Sequence, residues 1–208
     1  MKMRSYWLVF LGSALSVATF VGFLAYNEIR NDKATVAPNL TRPLPPFSLA
    51  AHNGTTISQA ELLGKVWVAD FIFTNCPGPC LKMSGVMQEI QNRVGTNPDV
   101  RLVSFTVNPE MDTPPVLAKY AEKFGAKPNW LFLTGEKQKI YDLAQKGFLL
   151  SAVDTGDGSG KLEDQFIHDT KFAIVDRSGA VRTYIDSSEP NASAKVAAAV
   201  QHYLTSPN

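Results

Sequence analysis

Apolar residues along the 208-residue chain form one long run at the N-terminus and several shorter runs farther on. The shorter runs are rich in β-branched and aromatic residues and have the length of buried strands, namely Val66–Phe73, Arg101–Val107, Trp130–Leu133 and Phe172–Val175. Segments with helical spacing or helix-start residues lie between them, namely Leu81–Val94, Thr113–Phe124 and Glu136–Gln145. Strands that alternate with helices predict an α/β domain with a partly parallel sheet.

Short antiparallel elements are predicted at both ends of this domain. A hairpin turn at Asn53-Gly54 joins two short strands near its start. A second hairpin around Asp176–Gly179 and a closing helix over Asn191–Leu204 complete it. Between these ends, Phe148–Val153 is predicted to be extended, and the glycine-rich Asp154–Gly160 is predicted to be a flexible loop.

The long N-terminal run predicts a membrane anchor. Lys2 and Arg4 precede about 22 uncharged positions, which is enough to cross a bilayer as a helix with its N-terminus in the cytoplasm. We therefore expect an anchor over 1–26, a proline-bearing linker over 27–46 and the folded domain over 47–208. A cleaved signal peptide is the alternative, but no small-x-small cleavage site directly follows the run. The domain should then lie outside the cytoplasm, in a bacterial periplasm or a mitochondrial intermembrane space.

The balance of charge excludes one broad class of partner. The chain has 20 Lys and Arg residues against 19 Asp and Glu residues. Proteins that bind nucleic acid normally carry a basic patch or stripe, and none is visible here. We therefore expect no nucleic-acid partner.

Cys76 and Cys80 are the only cysteines of the chain, and three residues separate them. They follow the strand at Val66–Phe73 and precede a helix, which places Cys80 at a helix N-terminus whose dipole and free N–H groups favour a thiolate. A disulfide across so short a loop would stabilise the fold little, and a turn at the solvent edge argues against two buried, inert thiols. The pair therefore indicates redox chemistry or the binding of a soft metal ion.

The order of strands and helices around this pair is thioredoxin-like, with a central mixed sheet flanked by helices. In such a sheet His168, just before the strand at Phe172, should face the thiol turn and supply a third metal ligand. Two thiolates and an imidazole suit copper(I), whereas zinc prefers four ligands. The other histidines carry less signal, because His52 lies in a hairpin turn and His202 in the last helix. Three methionines offer thioethers, namely Met83, Met87 and Met111, although the first two have the spacing of core residues.

Several motifs make the chain similar to the Sco/SenC family, the membrane-anchored copper proteins of cytochrome c oxidase assembly. Phe73–Cys80 resembles the Phe-x-x-Cys-Pro-x-x-Cys core of that family, and Val107–Pro114 resembles its Val-Asp-Pro-Glu-x-Asp-Thr-Pro segment. The resemblance continues through Val116–Tyr120 and Leu133–Gly135. His168 also stands at the distance from the hairpin turn that the ligand histidine of the family has.

This resemblance implies a thioredoxin-like fold and a copper site made of Cys76, Cys80 and His168. It also implies a partner, the oxidase subunit that carries the binuclear copper centre, together with other copper chaperones or thiol reductases. The chain departs from the family pattern at three positions, where Leu81, Asn108 and Ile167 replace Pro, Asp and Asp. The last two remove acidic groups near the expected site.

Two functions remain open at this point. The first is a copper chaperone that delivers copper to the binuclear centre or prepares its cysteines. Such a chaperone is not a turnover enzyme. The second is an enzyme, a membrane-anchored thiol–disulfide oxidoreductase, in which one cysteine attacks a partner disulfide and the other resolves the mixed disulfide. General thioredoxins have a proline just before the corresponding late strand, and Thr170-Lys171 stands there instead, which favours copper binding. A peroxidase of the peroxiredoxin type would need a proline before the attacking cysteine, and the segment before Cys76 has none.

Overall fold

The computed structural model describes residues 41–150 and 170–206. The predicted anchor, most of the predicted linker, the glycine-rich loop and His168 lie outside the described residues. Within the described ranges, every helix is too short or too polar to span a bilayer.

The described residues form a single mixed sheet, as predicted. Its strands are β1 (Arg42–Pro43), β2 (Ser48–Ala51), β3 (Thr56–Ser58), β4 (Val66–Ile72), β5 (Val100–Thr106), β6 (Trp130–Thr134), β7 (Lys171–Val175) and β8 (Ala180–Asp186). The strands lie side by side in the order β1-β8-β7-β4-β5-β6-β2-β3. The central strands β4, β5 and β6 run parallel to one another, and all other pairs of neighbouring strands are antiparallel. All seven residues of β4 are buried, as expected of a strand that is covered on both faces.

Helices pack against this sheet, and the four longer ones lie at the positions that the sequence indicated. They are α1 (Gln59–Leu62), α2 (Pro79–Val94), α3 (Pro114–Lys123), α4 (Lys137–Asp142), which continues as a π-helical turn over Leu143–Gly147, and α5 (Ala192–Thr205). Helices α2 and α5 pack together, and α5 also contacts β4. Gln88 and Gln91 of α2 donate side-chain hydrogen bonds to the backbone at the end of α3, so α2 and α3 lie on the same face of the sheet.

Aromatic side chains fill the opposite face of the sheet. Phe71 stacks on Phe105 with ring centroids 5.1 Å apart, and Phe148 meets Phe71 and Trp67 edge-on. Because side chains alternate across a strand, Asp70 points away from these rings, towards the face that carries α2 and α3.

Two segments differ from the sequence-based boundaries. Residues 148–150 do not form a strand, because the Phe148 and Leu150 N–H groups donate to the Leu143 and Ala144 carbonyls in the turn that ends the helix, with Leu149 at φ 52°. At the N-terminal side, β1 pairs with β8 and Leu44 is buried. The chain therefore enters the fold before residue 47.

Candidate metal and redox site

The two cysteines lie where β4 turns into α2. Cys76 is in the turn, and Cys80 is the second residue of the helix. The Cys76 N–H donates to the Phe73 carbonyl (3.3 Å), and the Cys80 N–H donates to the Cys76 sulfur (3.4 Å). The two sulfurs are not bonded to each other in this structure. The first turn of α2 thus holds the Cys76 sulfur against Cys80.

Both thiols are buried, contrary to the expectation of a solvent-edge pair. Each cysteine is 7% exposed, although the intervening Pro77, Gly78 and Pro79 are exposed. The backbone of the turn faces solvent while its two sulfurs belong to the core cluster of α2 and the sheet. Burial raises the pKa of the Cys80 thiol, and its hydrogen bond with Cys76 and the nearby charge of Asp70 act in the same direction. At Cys80, therefore, desolvation raises the thiol pKa more than the helix N-terminus, which was expected to favour a thiolate, lowers it.

Asp70 is a buried carboxyl on the same side of the sheet as the thiols. Its exposure is 0%, and among the described residues neither carboxylate oxygen has a hydrogen-bond partner. Burial raises the pKa of Asp70 to about 7, although the Ser104 hydroxyl on the paired strand acts in the opposite direction. A buried, poorly paired carboxyl beside a thiol pair is a feature of functional sites. The signal for Asp70 is present in the sequence, as a single acidic residue within an apolar strand.

A buried pair of hydroxyls lies one helical turn beyond Cys80. The Ser84 hydroxyl and the Tyr120 hydroxyl are 2.9 Å apart and join α2 to α3. Burial raises the pKa of Tyr120, and the charges of Cys80, Asp70 and Cys76 raise it further. Asp70, Ser84 and Tyr120 are therefore buried polar groups in the neighbourhood of the thiols.

The position of His168 lies outside the described residues, so the predicted three-ligand site is described only for its two thiols. Within the described ranges, no cluster of three His, Cys, Asp or Glu side chains suits a metal ion. Thr170 is described, and it is tied down by a hydrogen bond from its hydroxyl to Asp186 and one from the Ser187 N–H to its carbonyl. Since β7 runs antiparallel to β4, its first residues lie at the end of β4 that leads to the cysteine turn.

The other soft or imidazole donors are placed elsewhere. His52 is half-buried, accepts the Phe132 N–H at 3.2 Å and packs edge-on against the Phe132 ring, and burial lowers its pKa. His202 is exposed on α5. Met83 and Met87 are buried core residues, whereas Met111 is 65% exposed. The methionine pair on α2 is therefore part of the packing, as its spacing indicated.

Comparison with known proteins yields one family. A family model described as SCO1/SenC matches residues 37–205. The SCO1 protein homolog of Bacillus subtilis is 39% identical over 145 residues, which cover 68% of this chain and 72% of that protein. The mitochondrial SCO1 homolog of Homo sapiens is 33% identical over 104 residues, which cover 48% of this chain and 34% of that protein.

Solved structures with the same fold carry the same family name. A SCO1/SenC family lipoprotein from Bacillus anthracis superposes with a TM-score of 0.72 at 28% identity, covering 82% of this chain and 99% of that one. BsSco, a member of the Sco family of cytochrome c oxidase assembly proteins in which a disulfide switch was identified, gives 0.70 at 32% identity, with 83% and 99% covered. Copper-bound ScoI of Bradyrhizobium japonicum shares the fold, with a TM-score of 0.63 at 24% identity, covering 77% and 99%. Because the family model matches most of the chain and the mixed sheet is shared with solved structures of that name, this chain belongs to the SCO1/SenC family.

Proposed function

We propose that this protein binds copper(I) as cargo through Cys76, Cys80 and His168. It would deliver that copper to the binuclear copper centre of a cytochrome c oxidase subunit, or prepare the cysteines of that centre. The observation that carries the proposal is the pair of unbonded thiols held on one turn, with the Cys80 N–H 3.4 Å from the Cys76 sulfur. Two soft sulfur donors on a short, proline-stiffened turn suit a low-coordinate soft cation.

The residues around the pair determine how it takes up a cation. Because burial raises the pKa of the Cys80 thiol, binding of a cation at Cys80 has to displace the thiol proton. His168 stands two residues before Thr170, which is anchored to Asp186 at the end of the sheet where the cysteine turn lies. A neutral imidazole at that edge would complete a site of two sulfurs and one nitrogen. The low exposure of both cysteines limits access of water and of competing thiols to that site.

We also propose that residues 1–26 anchor the protein in a membrane and that the following polar stretch tethers the domain on the extracytoplasmic side. The uncharged run after Lys2 and Arg4 supports the anchor. The Bacillus anthracis relative is a lipoprotein, which agrees with a protein that works beside a membrane, and the human relative is a mitochondrial protein, which agrees with a location outside the cytoplasm.

Thiol–disulfide exchange is the second candidate, favoured by the disulfide switch of BsSco. In that role the Cys76 thiolate would attack a partner disulfide, releasing one partner thiolate and forming a mixed disulfide. The Cys80 thiol would then lose its proton and attack the Cys76 sulfur, which closes the intrachain disulfide, and the departing partner sulfur would take up a proton and leave as the second partner thiol. The absence of proline at Thr170 and Lys171 disfavours a general reductase but not a dedicated partner.

The first candidate is tested by titrating the reduced, full-length protein with copper(I) in detergent. A chromogenic chelator competes with the protein for copper(I) and reports the affinity. We expect one copper(I) per chain, strong loss in Cys80→Ser and His168→Ala, and no change in His202→Ala, an exposed histidine on α5. An insulin-reduction assay on the same samples tests the second. Rapid insulin reduction without copper(I) binding would replace the first proposal with the second.

A further inference from the structure

The carboxylate of Asp112 lies in the turn between β5 and α3 and is completely buried. Its Oδ2 accepts the Thr74 N–H (3.0 Å) and the Thr106 hydroxyl (2.5 Å), and its Oδ1 accepts the Thr74 hydroxyl (2.5 Å). Among the described residues, no basic side chain forms an ion pair with it. A carboxylate buried without a cation is costly unless hydrogen-bond donors surround it, and three donors do so here.

These hydrogen bonds join the thiol turn to the rest of the sheet. Thr74 lies just after β4 and two residues before Cys76, and Thr106 is the last residue of β5. The Thr106 hydroxyl in turn accepts the Asn108 N–H, and the Asp112 N–H donates to the Asn108 carbonyl. The start of the cysteine turn is thus held at both its backbone and its side chain by one residue that is 38 positions away in the chain.

We infer that Asp112 is a positioning residue for the cysteine pair and acts through Thr74. By holding the first residue of the turn, Asp112 restricts the motion of the chain between β4 and α2. The two sulfurs are thereby kept at a fixed separation. Both copper(I) chelation and disulfide closure need the two sulfurs together, and a preorganised pair gives up less conformational entropy in either event. The copper part of this inference rests on the proposed function, whereas the disulfide part does not.

The β7–β8 turn offers a matched control. Asp176 is also buried, and it accepts hydrogen bonds from the Ser178 N–H and hydroxyl, the Ala180 N–H and the Arg182 side chain. Val175, its neighbour, pairs with Trp67 near the start of β4. Asp176 therefore holds the β7–β8 turn at the end of the sheet opposite to the thiols. Because Asp176→Asn removes buried hydrogen bonds far from the cysteine turn, it reports on lost stability alone.

The experiment measures two properties of full-length, detergent-solubilised variants. The first is copper(I) affinity by chelator competition. The second, on metal-free protein, is the equilibrium in which the dithiol and oxidised glutathione give the intrachain disulfide and two reduced glutathione molecules. We expect Asp112→Asn to weaken copper(I) binding about tenfold or more, the range found for residues that orient metal ligands. If the equilibrium constant for forming the intrachain disulfide falls tenfold, the reduction potential of the cysteine pair rises by about 30 mV.

Two substitutions of Thr74 separate positioning from folding. Thr74→Ser keeps the hydroxyl and should match wild type in both readouts, whereas Thr74→Val loses one hydrogen bond and should fall between wild type and Asp112→Asn. If Asp112→Asn does not fold, the comparison of Thr74→Val with Thr74→Ser decides the question. The inference is overturned if Asp112→Asn affects both readouts no more than Asp176→Asn does. It is also overturned if Thr74→Val affects both readouts no more than Asp176→Asn does. If wild type binds no copper(I), the proposed function fails, and the glutathione equilibrium still tests the role of Asp112.

Discussion

Replacing Asp70 with asparagine removes a carboxyl that the fold holds in an unfavourable place. The side chain is fully buried in β4, and among the described residues its oxygens have no hydrogen-bond partner. Burial raises the pKa of Asp70 from 3.8 in the unfolded chain to about 7. Between those two pH values the folded protein binds more protons than the unfolded chain at this position, so this carboxyl makes the fold less stable as pH rises.

The size of this effect follows from the difference in pKa. Each pKa unit corresponds to about 1.4 kcal/mol, so the ionised carboxyl destabilises the fold by about 4 kcal/mol once the pH is well above 7. At pH 5 the same linkage gives less than half of that value, roughly 1.7 kcal/mol. The free energy of unfolding of Asp70→Asn, relative to wild type, should therefore increase by roughly 2 to 3 kcal/mol between pH 5 and pH 8. The cost of burying the amide does not vary with pH and cancels from this change.

Urea denaturation of the reduced proteins across this pH range measures the difference directly. Asp99→Asn serves as the control, because Asp99 is exposed and no hydrogen bond to its carboxylate is observed in the described structure. Asp99→Asn should change the free energy of unfolding by no more than about 0.5 kcal/mol, as is usual for substitutions at exposed positions. A difference between Asp70→Asn and wild type that does not change with pH would refute the assignment of a buried carboxyl that ionises near neutral pH.

Three further predictions concern the same region. Because burial raises the pKa of Cys80, copper(I) affinity measured by chelator competition should rise about tenfold per pH unit for the proton displaced there, and a flat profile from pH 6 to 8 would contradict this. Ser84→Ala should cost about 1 to 3 kcal/mol in urea denaturation, because it leaves the buried Tyr120 hydroxyl without its partner, and adding Tyr120→Phe should recover part of that loss. Phe148→Ala should cost about 3 to 5 kcal/mol, because Phe148 is fully buried against Trp67 and Phe71, whereas Val116→Ala at an exposed position should cost far less.

Much of the fold was predictable because its signals are local. The apolar run that became β4 needed no long-range information, and neither did the helix start at Thr113-Pro114. The boundary errors arise where tertiary contacts decide. Phe148 ends a π-helical turn instead of starting a strand because its ring fills the aromatic cluster on the sheet.

The candidate site was predictable only in part. The spacing of Cys76 and Cys80 pointed to a thiol pair, but their burial depends on the packing of α2 against the sheet, which no local pattern reports. The role of Asp112 is invisible in the sequence, because its partner Thr74 lies 38 residues away. Asp70 was detectable as a lone acid within an apolar strand, and the structure adds that it lies on the face of the sheet that carries the thiols.

We propose that one copper(I) ion is held by two sulfurs and one imidazole nitrogen. X-ray absorption spectroscopy of the copper(I)-loaded, full-length protein can determine this ligand set, because it counts sulfur and nitrogen scatterers around the metal. The proposal predicts two sulfurs and one imidazole nitrogen, with loss of the imidazole signal in His168→Ala and its retention in His202→Ala. A copper environment with fewer than two sulfurs, or one that is identical in wild type and His168→Ala, would contradict it.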